Sequence, residues 1–292
     1  MPDERLAVRK TYKLFIGGAF PRSESGRSYP VHGPIAGKRG RSLLAFAAQG
    51  SRKDARDAVK AARGAFGGWS GATAYNRGQV LYRVAEVLEG RAAQFAAEVA
   101  AAEGVSQASA KAQVSAAIDR WVWYAGWPDK VAQVAGASNQ VAGPYLNVST
   151  PEPTGVVAIL APAAPSLLGL VSVLAPVIAT GNTAVLAASQ AHPLPAITLA
   201  EVLATSDVPG GVVNILTGDQ AELAPVLAGH MDVDAIDLTG ADADSAAELT
   251  RLAADNLKRV FRGGGDDWLA NPGTRRLLDF VEIKTVWHPA GS

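Results

Sequence analysis

The chain has 292 residues, of which 48% are hydrophobic, and its 27 basic and 27 acidic side chains balance to a formal charge of zero. This apolar content is sufficient for a large core, and the balanced charge excludes the strong electrostatic attraction on which binding to nucleic acids and membrane surfaces depends. Residues 1–13 lack the apolar core of a signal peptide and prolines interrupt the longest apolar runs, so we expect a cytoplasmic protein that binds no nucleic acid and enters no membrane.

The first predicted elements are short β-strands within residues 1–50. Apolar residues in the segment 13–20 flank Gly17 and Gly18, and such a glycine pair favours a tight hairpin turn. A second apolar run covers residues 41–48. We therefore predict a small β element at the N-terminus.

A helical layer is predicted for residues 51–139. Apolar residues recur there with a period of roughly 3.6. Ser51 and Asp54 have the spacing of a capping box, which marks the start of the first helix. Four aromatic residues near the end of the layer are expected to pack in the core rather than to line a pocket or a partner groove; they are Trp121, Trp123, Tyr124 and Trp127.

An extended strand is predicted next, at residues 140–150. A turn formed by Gly136, Ser138 and Asn139 leads into it. We assign this strand to the same β element as residues 1–50.

Residues 151–265 alternate between strand and helix patterns. The predicted strands are short apolar runs at residues 155–160, 183–186, 212–216 and 235–238. The predicted helices lie between them, at residues 167–178, 196–204 and 221–228. This alternation predicts an α/β fold with a doubly wound parallel sheet that is buried on both faces.

Two sets of polar residues show no recognisable catalytic or metal-binding motif. The four histidines lack the spacing of a metal site, so no metal is predicted; they are His32, His192, His230 and His288. Lys258 and Arg259 are compatible with a functional loop, but we favour the interpretation that they lie at the solvated C-terminal end of a helix.

Several sequence blocks together resemble the cofactor domain of the aldehyde dehydrogenase superfamily, in their order and in their separation. They are PTGVV at 153–157, LAP at 174–176, GNT at 181–183, PGGVVN at 209–214, TG at 239–240 and NLKRV at 256–260. The resemblance extends from about residue 12 to residue 265 and resumes at residues 278–288. It implies a Rossmann-like NAD(P) domain, a separate catalytic domain and a β-arm used in oligomerisation.

The resemblance also indicates which parts of the family plan this sequence lacks. In the family, the glycine run at residues 263–265 leads into the catalytic domain. Here residues 266–276 form a linker that leads directly to a C-terminal strand in residues 277–292. We therefore expect that the catalytic domain is absent.

The catalytic groups of the family have no counterparts at the matching positions. The sequence contains no cysteine to act as nucleophile. Ala163 and Ala164 stand where the family has tryptophan and the asparagine that stabilises the oxyanion. No glutamate precedes the glycine pair at residues 263–264, so the general base is missing as well. We predict no catalytic residues.

The cofactor contacts that the resemblance implies are weakened. Ala187 and Gln190 replace the lysine and glutamate that hold the adenosine ribose, Gln220 replaces a glycine, and Ala241 replaces a serine. The remaining candidate cofactor-binding residues are Pro162, Gln190, Gly218, Thr239 and Gly240. We expect that no cofactor is required and that NAD(P) binding is possible but weak.

Two of the retained motifs have a simpler explanation. Gly181-Asn182 and Thr239-Gly240 follow or precede predicted strands, where tight turns are needed whether or not a ligand binds. We favour this structural role over cofactor contact.

The C-terminal segment supports a hypothesis about assembly. Its β-forming residues alternate along a strand that resembles the interprotomer arm of the family; they are Val281, Ile283, Thr285 and Trp287. The sequence therefore favours a non-catalytic subunit that forms a homo-oligomer, or a hetero-oligomer with a complete aldehyde dehydrogenase. An NAD(P)-binding sensor module and a residual, partner-dependent aldehyde oxidoreductase activity are the alternatives.

Overall fold

The computed structural model describes residues 8–35 and 39–290. The helices are α1 (Arg52–Ser70), α2 (Ala74–Gly90), α3 (Ala92–Glu103), α4 (Gln107–Ala125), α5 (Val131–Ala135), α6 (Leu168–Ala179), α7 (Leu194–Ala204), α8 (Gln220–Gly229), α9 (Ala243–Ala253) and α10 (Arg275–Leu278). The strands are β1 (Thr11–Tyr12), β2 (Ser28–Pro34), β3 (Arg41–Ala48), β4 (Ala137–Asn139), β5 (Tyr145–Pro153), β6 (Val156–Leu160), β7 (Thr183–Ala187), β8 (Val213–Leu216), β9 (Ala235–Asp237), β10 (Arg259–Phe261) and β11 (Val281–Pro289). Residues 1–7 and 36–38 of the predicted N-terminal element and residues 291–292 of the predicted C-terminal strand lie outside the described residues.

A five-stranded sheet forms the centre of the molecule, in the order β10-β9-β6-β7-β8. All its strand pairs are parallel. Strand β6 is the first of the five along the chain. Strands β7 and β8 follow on one side of it, and the chain then crosses over to form β9 and β10 on the other side. The prediction of an α/β fold with a doubly wound parallel sheet is therefore confirmed. The strand order reverses between β6 and β9, and crevices that bind ligands form at such switch points in open α/β sheets.

The two faces of this sheet pack against different helices, which explains why its strands are apolar throughout. Val157 and Ile159 belong to a core cluster with residues of α2, α4, α6 and α7. Val156 and Ala158 point the other way and pack with residues of α1, α8 and α9. The side chains of β6 are at most 2% exposed.

The predicted helical layer is not a single layer, because α1 packs on one face of the sheet with α8 and α9 while α2 and α4 pack on the other face. Its predicted start is confirmed. The Ser51 hydroxyl accepts a hydrogen bond from the Asp54 amide, and the Asp54 carboxylate accepts one from the Ser51 amide. The aromatic residues of α4 lie in the core as predicted, with Trp121 and Tyr124 fully buried. Trp123 and Trp127 are partly buried and pack against the same cluster.

The N-terminal β element agrees with the prediction in part. Residues 41–48 form β3, and Gly17 and Gly18 form the predicted turn with φ values of +62° and +82°. The flanking residues pair across this turn as predicted: Ile16 and Ala19 exchange two backbone hydrogen bonds, and the Leu14 amide donates one to the Pro21 carbonyl. Between them, Phe15 exchanges two backbone hydrogen bonds with Ile215 at the edge of the central sheet. Strand β2, which the sequence analysis did not predict, pairs with β3.

The assignment of residues 140–150 to the N-terminal β element is wrong. The strand begins at Tyr145 rather than residue 140, and it lies in a separate sheet with the order β11-β5-β4. The predicted turn at Ser138 and Asn139 is also wrong, because these residues form β4 and pair with Val148 and Asn147. The pairing of β5 with a strand more than a hundred residues away could not be obtained from local patterns.

The interpretation of Lys258 and Arg259 as a solvated helix end is wrong as well. Leu257 adopts a left-handed conformation with φ +57° and ends the preceding turn. Arg259 then begins β10, and Lys258 is only 7% exposed. Burial lowers the pKa of the Lys258 ammonium group.

Candidate functional site

A crevice lies at the carboxyl end of the central sheet, at the switch point between β6 and β9. Two neighbouring cavities, of about 200 and about 370 Å³, open there. The first lies between α8 and α9, with Leu160 in its lining, and the second borders the loop that follows β7. Gln220 and Gly240 line both cavities, so these two residues mark the boundary between them.

Two of the five predicted cofactor-binding residues line this crevice. Gln190 is exposed and lies in the wall of the larger cavity, beside Ser189. Gly240 lies against the end of β6, where a Cβ atom would collide with the Ala161 carbonyl oxygen. A glycine is therefore needed at this position to let the two loops approach each other.

The other three predicted residues do not line the two cavities. Gly218 has φ +137° and packs against the backbone of Gly50, at 2.9 Å from where its Cβ would lie. Thr239 donates its hydroxyl hydrogen to Asp237. Pro162 is buried against the first turn of α6, next to Gly169. For all five residues, cofactor contact stays a prediction.

The side chain of Gln220 crosses the crevice. Its amide nitrogen lies 3.2 Å from the carbonyl oxygen of Ala188, 3.3 Å from that of Ala187 and 3.5 Å from that of Ala161. Ala187 is the last residue of β7, and Ala161 and Ala188 directly follow β6 and β7. An amide group has two hydrogens to donate, so Gln220 connects the ends of the two central strands.

The electrostatic character of the crevice is acidic. The lining of the smaller cavity includes Asp242 and Glu248, and neither cavity has a lysine or an arginine in its lining. At the N-terminus of α8, which borders both cavities, the carboxylate of Asp219 accepts a hydrogen bond from the Ala221 amide at 3.0 Å. Helix N-termini attract anions, but here the protein's own carboxylate takes that place.

These residues do not fit a dinucleotide cofactor well. A pyrophosphate needs cationic or free N–H donors, whereas this crevice offers two carboxylates and a capped helix. Gln220 could hydrogen-bond a ribose hydroxyl, but its donors already lie on backbone carbonyl groups. We therefore derive no reaction step through NAD(P).

The linker predicted at residues 266–276 is attached to the sheet by a buried ion pair. The Arg276 guanidinium lies 3.2 Å from the carboxylate of Asp237 in β9 and 2.9 Å from that of Asp266. It also lies over the rings of Phe261 and Trp268, at 4.8 and 5.4 Å from their centroids. Asp237 is completely buried, which raises the pKa of its carboxyl group, and the charge of Arg276 opposes this shift.

A second arginine holds the same linker against α4. Arg120 donates hydrogen bonds from Nη2 to the carbonyl oxygens of Trp268, at 2.7 Å, and Ala270, at 3.2 Å. Beside this contact a further cavity of about 440 Å³ has Ala164 and Trp268 in its lining. The linker is thus attached to the fold at a few points, although most of its residues are exposed. Neither arginine was singled out from the sequence.

The turn at Gly181 and Asn182 lies at the opposite end of the sheet from the crevice. Asn182 is fully buried, accepts a hydrogen bond from the Gly155 amide at 2.8 Å and donates one to the Phe280 carbonyl at 2.8 Å. This agrees with the structural interpretation of the motif. Asn182 connects the starts of β6 and β7 to the C-terminal segment.

Within residues 8–35 and 39–290, the structure contains no group of three or more histidine, cysteine, aspartate or glutamate side chains that could hold a metal ion. The same described ranges contain no helix that is long and apolar enough to cross a membrane.

The comparison with known families agrees with the motifs and the fold. Residues 21–267 match the sequence model of the aldehyde dehydrogenase family. The chain belongs to this family. The protein named cytosolic 10-formyltetrahydrofolate dehydrogenase of Mus musculus is 32% identical over 261 residues, which are 88% of this chain and 28% of that protein. The protein named aldehyde dehydrogenase family 2 member B4, mitochondrial, of Arabidopsis thaliana is 34% identical over 85% of this chain and 45% of its own length.

Solved aldehyde dehydrogenase structures have the same fold. HpcC of Thermus thermophilus superposes with a TM-score of 0.81 at 32% identity, covering 88% of this chain and 48% of that structure. An aldehyde dehydrogenase of Bacillus cereus, solved as a complex with NAD⁺, gives a TM-score of 0.81 at 28% identity over 87% of this chain and 50% of that structure. The chain therefore spans about half the length of these two structures.

Proposed function

We propose that this chain is a non-catalytic subunit of the aldehyde dehydrogenase family, which assembles with copies of itself or with a complete family member through the sheet that contains β11. Aldehyde dehydrogenases are typically oligomers. The observation that carries the proposal is the free outer edge of β11. All nine of its residues pair with β5 on one side, and within the described part of the chain no strand pairs with the other side.

The exposed side chains of β11 support an assembly role. Ile283 is 54% and Trp287 is 56% exposed, and both project from the same face because side chains alternate along a strand. The Trp287 ring packs edge-on against Tyr145, itself 46% exposed, with 5.8 Å between the ring centroids. A long edge with large apolar side chains is a site for pairing with another chain.

The chemistry of the sequence supports the non-catalytic part of the proposal. A thiolate nucleophile requires cysteine, and the sequence contains none. The alanines at positions 163 and 164 carry no hydrogen-bond donor in their side chains to stabilise an oxyanion. The proposal places the protein in the cytoplasm. Its relatives include proteins named as cytosolic and as mitochondrial.

The experiment is a measurement of assembly with a charged edge. Ile283→Lys/Trp287→Lys places two cations on the exposed face of β11 without touching the buried Val281. Met231→Lys is the matched control, because Met231 is 66% exposed and belongs to none of the strands. Light scattering after gel filtration would be measured for each variant, alone and mixed with a complete, cysteine-containing family member.

We expect a defined oligomer for the wild type and for Met231→Lys, and at least about tenfold weaker association for the double variant, which corresponds to about 1.4 kcal/mol. Circular dichroism would show that the double variant is folded. A wild type that stays monomeric both alone and in the mixture would contradict the proposal, as would a double variant that assembles normally. Turnover of aldehyde with NAD⁺ by the purified chain would refute its non-catalytic part.

A further inference from the structure

The crevice at the switch point is divided by one side chain. Gln220 and Gly240 line both cavities, and of these two only Gln220 has a side chain that can separate them. We infer that Gln220 is a size-determining residue, which closes the crevice of this chain to a dinucleotide. This inference concerns the ligand site and goes beyond the proposed assembly role, so either can fail without the other.

The position of the Gln220 side chain is fixed from several directions. Its amide nitrogen is within 3.5 Å of three backbone carbonyl oxygens, those of Ala161, Ala187 and Ala188. If a ligand moves the amide away, the carbonyl oxygens of Ala161 and Ala188 lose this donor, which is unfavourable unless the ligand replaces it. The carbonyl oxygen of Ala187 keeps the Ala161 amide as a donor at 3.0 Å. The phosphate groups of a dinucleotide are acceptors and cannot replace the Gln220 donor, so only its hydroxyl and amino groups are able to do so.

The sizes of the two cavities also argue against the binding of a dinucleotide. Pockets for drug-sized ligands range from about 300 to about 1,000 Å³. The smaller cavity has about 200 Å³ and lies below this range, and the larger has about 370 Å³. A dinucleotide consists of two nucleotide units and has to extend through both cavities. With Gln220 between them, neither cavity alone can hold it.

The charges around Gln220 add to this exclusion. Asp219, the preceding residue, places its carboxylate at the N-terminus of α8. That N-terminus is where a phosphate group would otherwise be attracted. Asp242 and Glu248 line the smaller cavity, and no lysine or arginine lines either cavity to balance them. A ligand with a pyrophosphate therefore meets repulsion at the same place at which Gln220 obstructs it.

The test is a calorimetric titration of the full chain with NAD⁺. Gln220→Ala removes the amide and joins the cavities. Val226→Ala is the matched control, because Val226 is uncharged, lies on the same helix and lines neither cavity. For the wild type and the control we expect no saturable binding at millimolar NAD⁺. For Gln220→Ala we expect saturable binding, with a dissociation constant at least about tenfold below the highest NAD⁺ concentration that fails to saturate the wild type. Gln220→Ser, a residue suited to a helix N-terminus, gives the same test if the alanine variant fails to fold.

The contribution of charge is tested on the opened variant. Asp219→Asn retains the helix cap but removes the negative charge. Added to Gln220→Ala, it should tighten NAD⁺ binding by a further factor of about two to five. Wild-type binding that is as tight as that of Gln220→Ala would overturn the inference. Equally, a folded Gln220→Ala or Gln220→Ser variant that binds no better than the wild type would show that Gln220 does not close the crevice.

Discussion

Replacement of Arg276 by alanine tests how the linker is attached to the sheet. The substitution leaves the carboxylate of Asp237, which is 0% exposed, without its cationic partner. Breaking a buried ion pair on one side typically destabilises a protein by about 3–5 kcal/mol. The second partner, Asp266, is 31% exposed and adds about 0–1 kcal/mol. We expect a loss of about 3–5 kcal/mol, which is a large fraction of the roughly 5–15 kcal/mol of a typical domain.

The loss should depend on pH in a direction that follows from the pKa of Asp237. Burial raises this pKa in the folded state, and removal of Arg276 takes away the charge that opposes the shift. A carboxyl group whose folded-state pKa lies above its unfolded value binds a proton on folding, so its contribution to stability is present at low pH and lost as the pH rises through the folded pKa. The difference between wild type and Arg276→Ala should therefore be larger at about pH 8 than at about pH 5.

Urea unfolding at the two pH values measures both effects. Asp237→Asn serves as the control, because asparagine keeps an acceptor for the Thr239 amide, which lies 2.8 Å from Oδ1 in the wild type. The double variant Arg276→Ala/Asp237→Asn should recover most of the stability lost in Arg276→Ala, because no buried charge remains. An Arg276→Ala variant within about 1 kcal/mol of the wild type at both pH values, or a double variant as unstable as the single one, would refute the reasoning.

Two further predictions concern the core and the response to pH. Trp121→Ala, at a fully buried position in α4, should lower the free energy of unfolding by about 3–5 kcal/mol in urea denaturation; a loss below about 1 kcal/mol would show that α4 contributes little to the core. Burial lowers the pKa of His192, despite the opposing charge of Glu103, so the folded state binds fewer protons than the unfolded state and stability should rise as the pH increases to about 6.5. His192→Gln should flatten this part of the stability profile, and an unchanged slope would exclude His192 as its cause.

The elements that depend on local patterns could be predicted from the sequence. The four apolar runs of the central sheet became β6, β7, β8 and β9 with ends that differ by one residue, and the helices between them differ by two residues or fewer. Alternation between apolar runs of strand and helix length is enough to identify a doubly wound sheet. The capping box at Ser51 likewise needs only residues three apart.

The pairings between distant segments could not be predicted. Asp237 interrupts an apolar strand, and a buried carboxylate requires a partner, so the sequence indicates that a cationic or hydrogen-bonding group lies near Asp237. Its partner, Arg276, lies 39 residues further along the chain, and nothing in the spacing indicates it. The same applies to Gln220: it departs from the glycine of the family pattern, but nothing in the sequence indicates that its side chain spans two strand ends.

The polar groups at the carboxyl edge of the sheet are satisfied by the protein itself. Gln220 provides donors to carbonyl groups at the ends of β6 and β7, and Arg276 neutralises Asp237 at the end of β9. Groups used in this way are not free to bind a ligand without being replaced, since buried polar atoms without partners are unfavourable. The edge of β11 is different, because its exposed Ile283 and Trp287 gain apolar contacts on binding. Recognition of another chain at this edge is therefore favoured over recognition of a small molecule in the crevice.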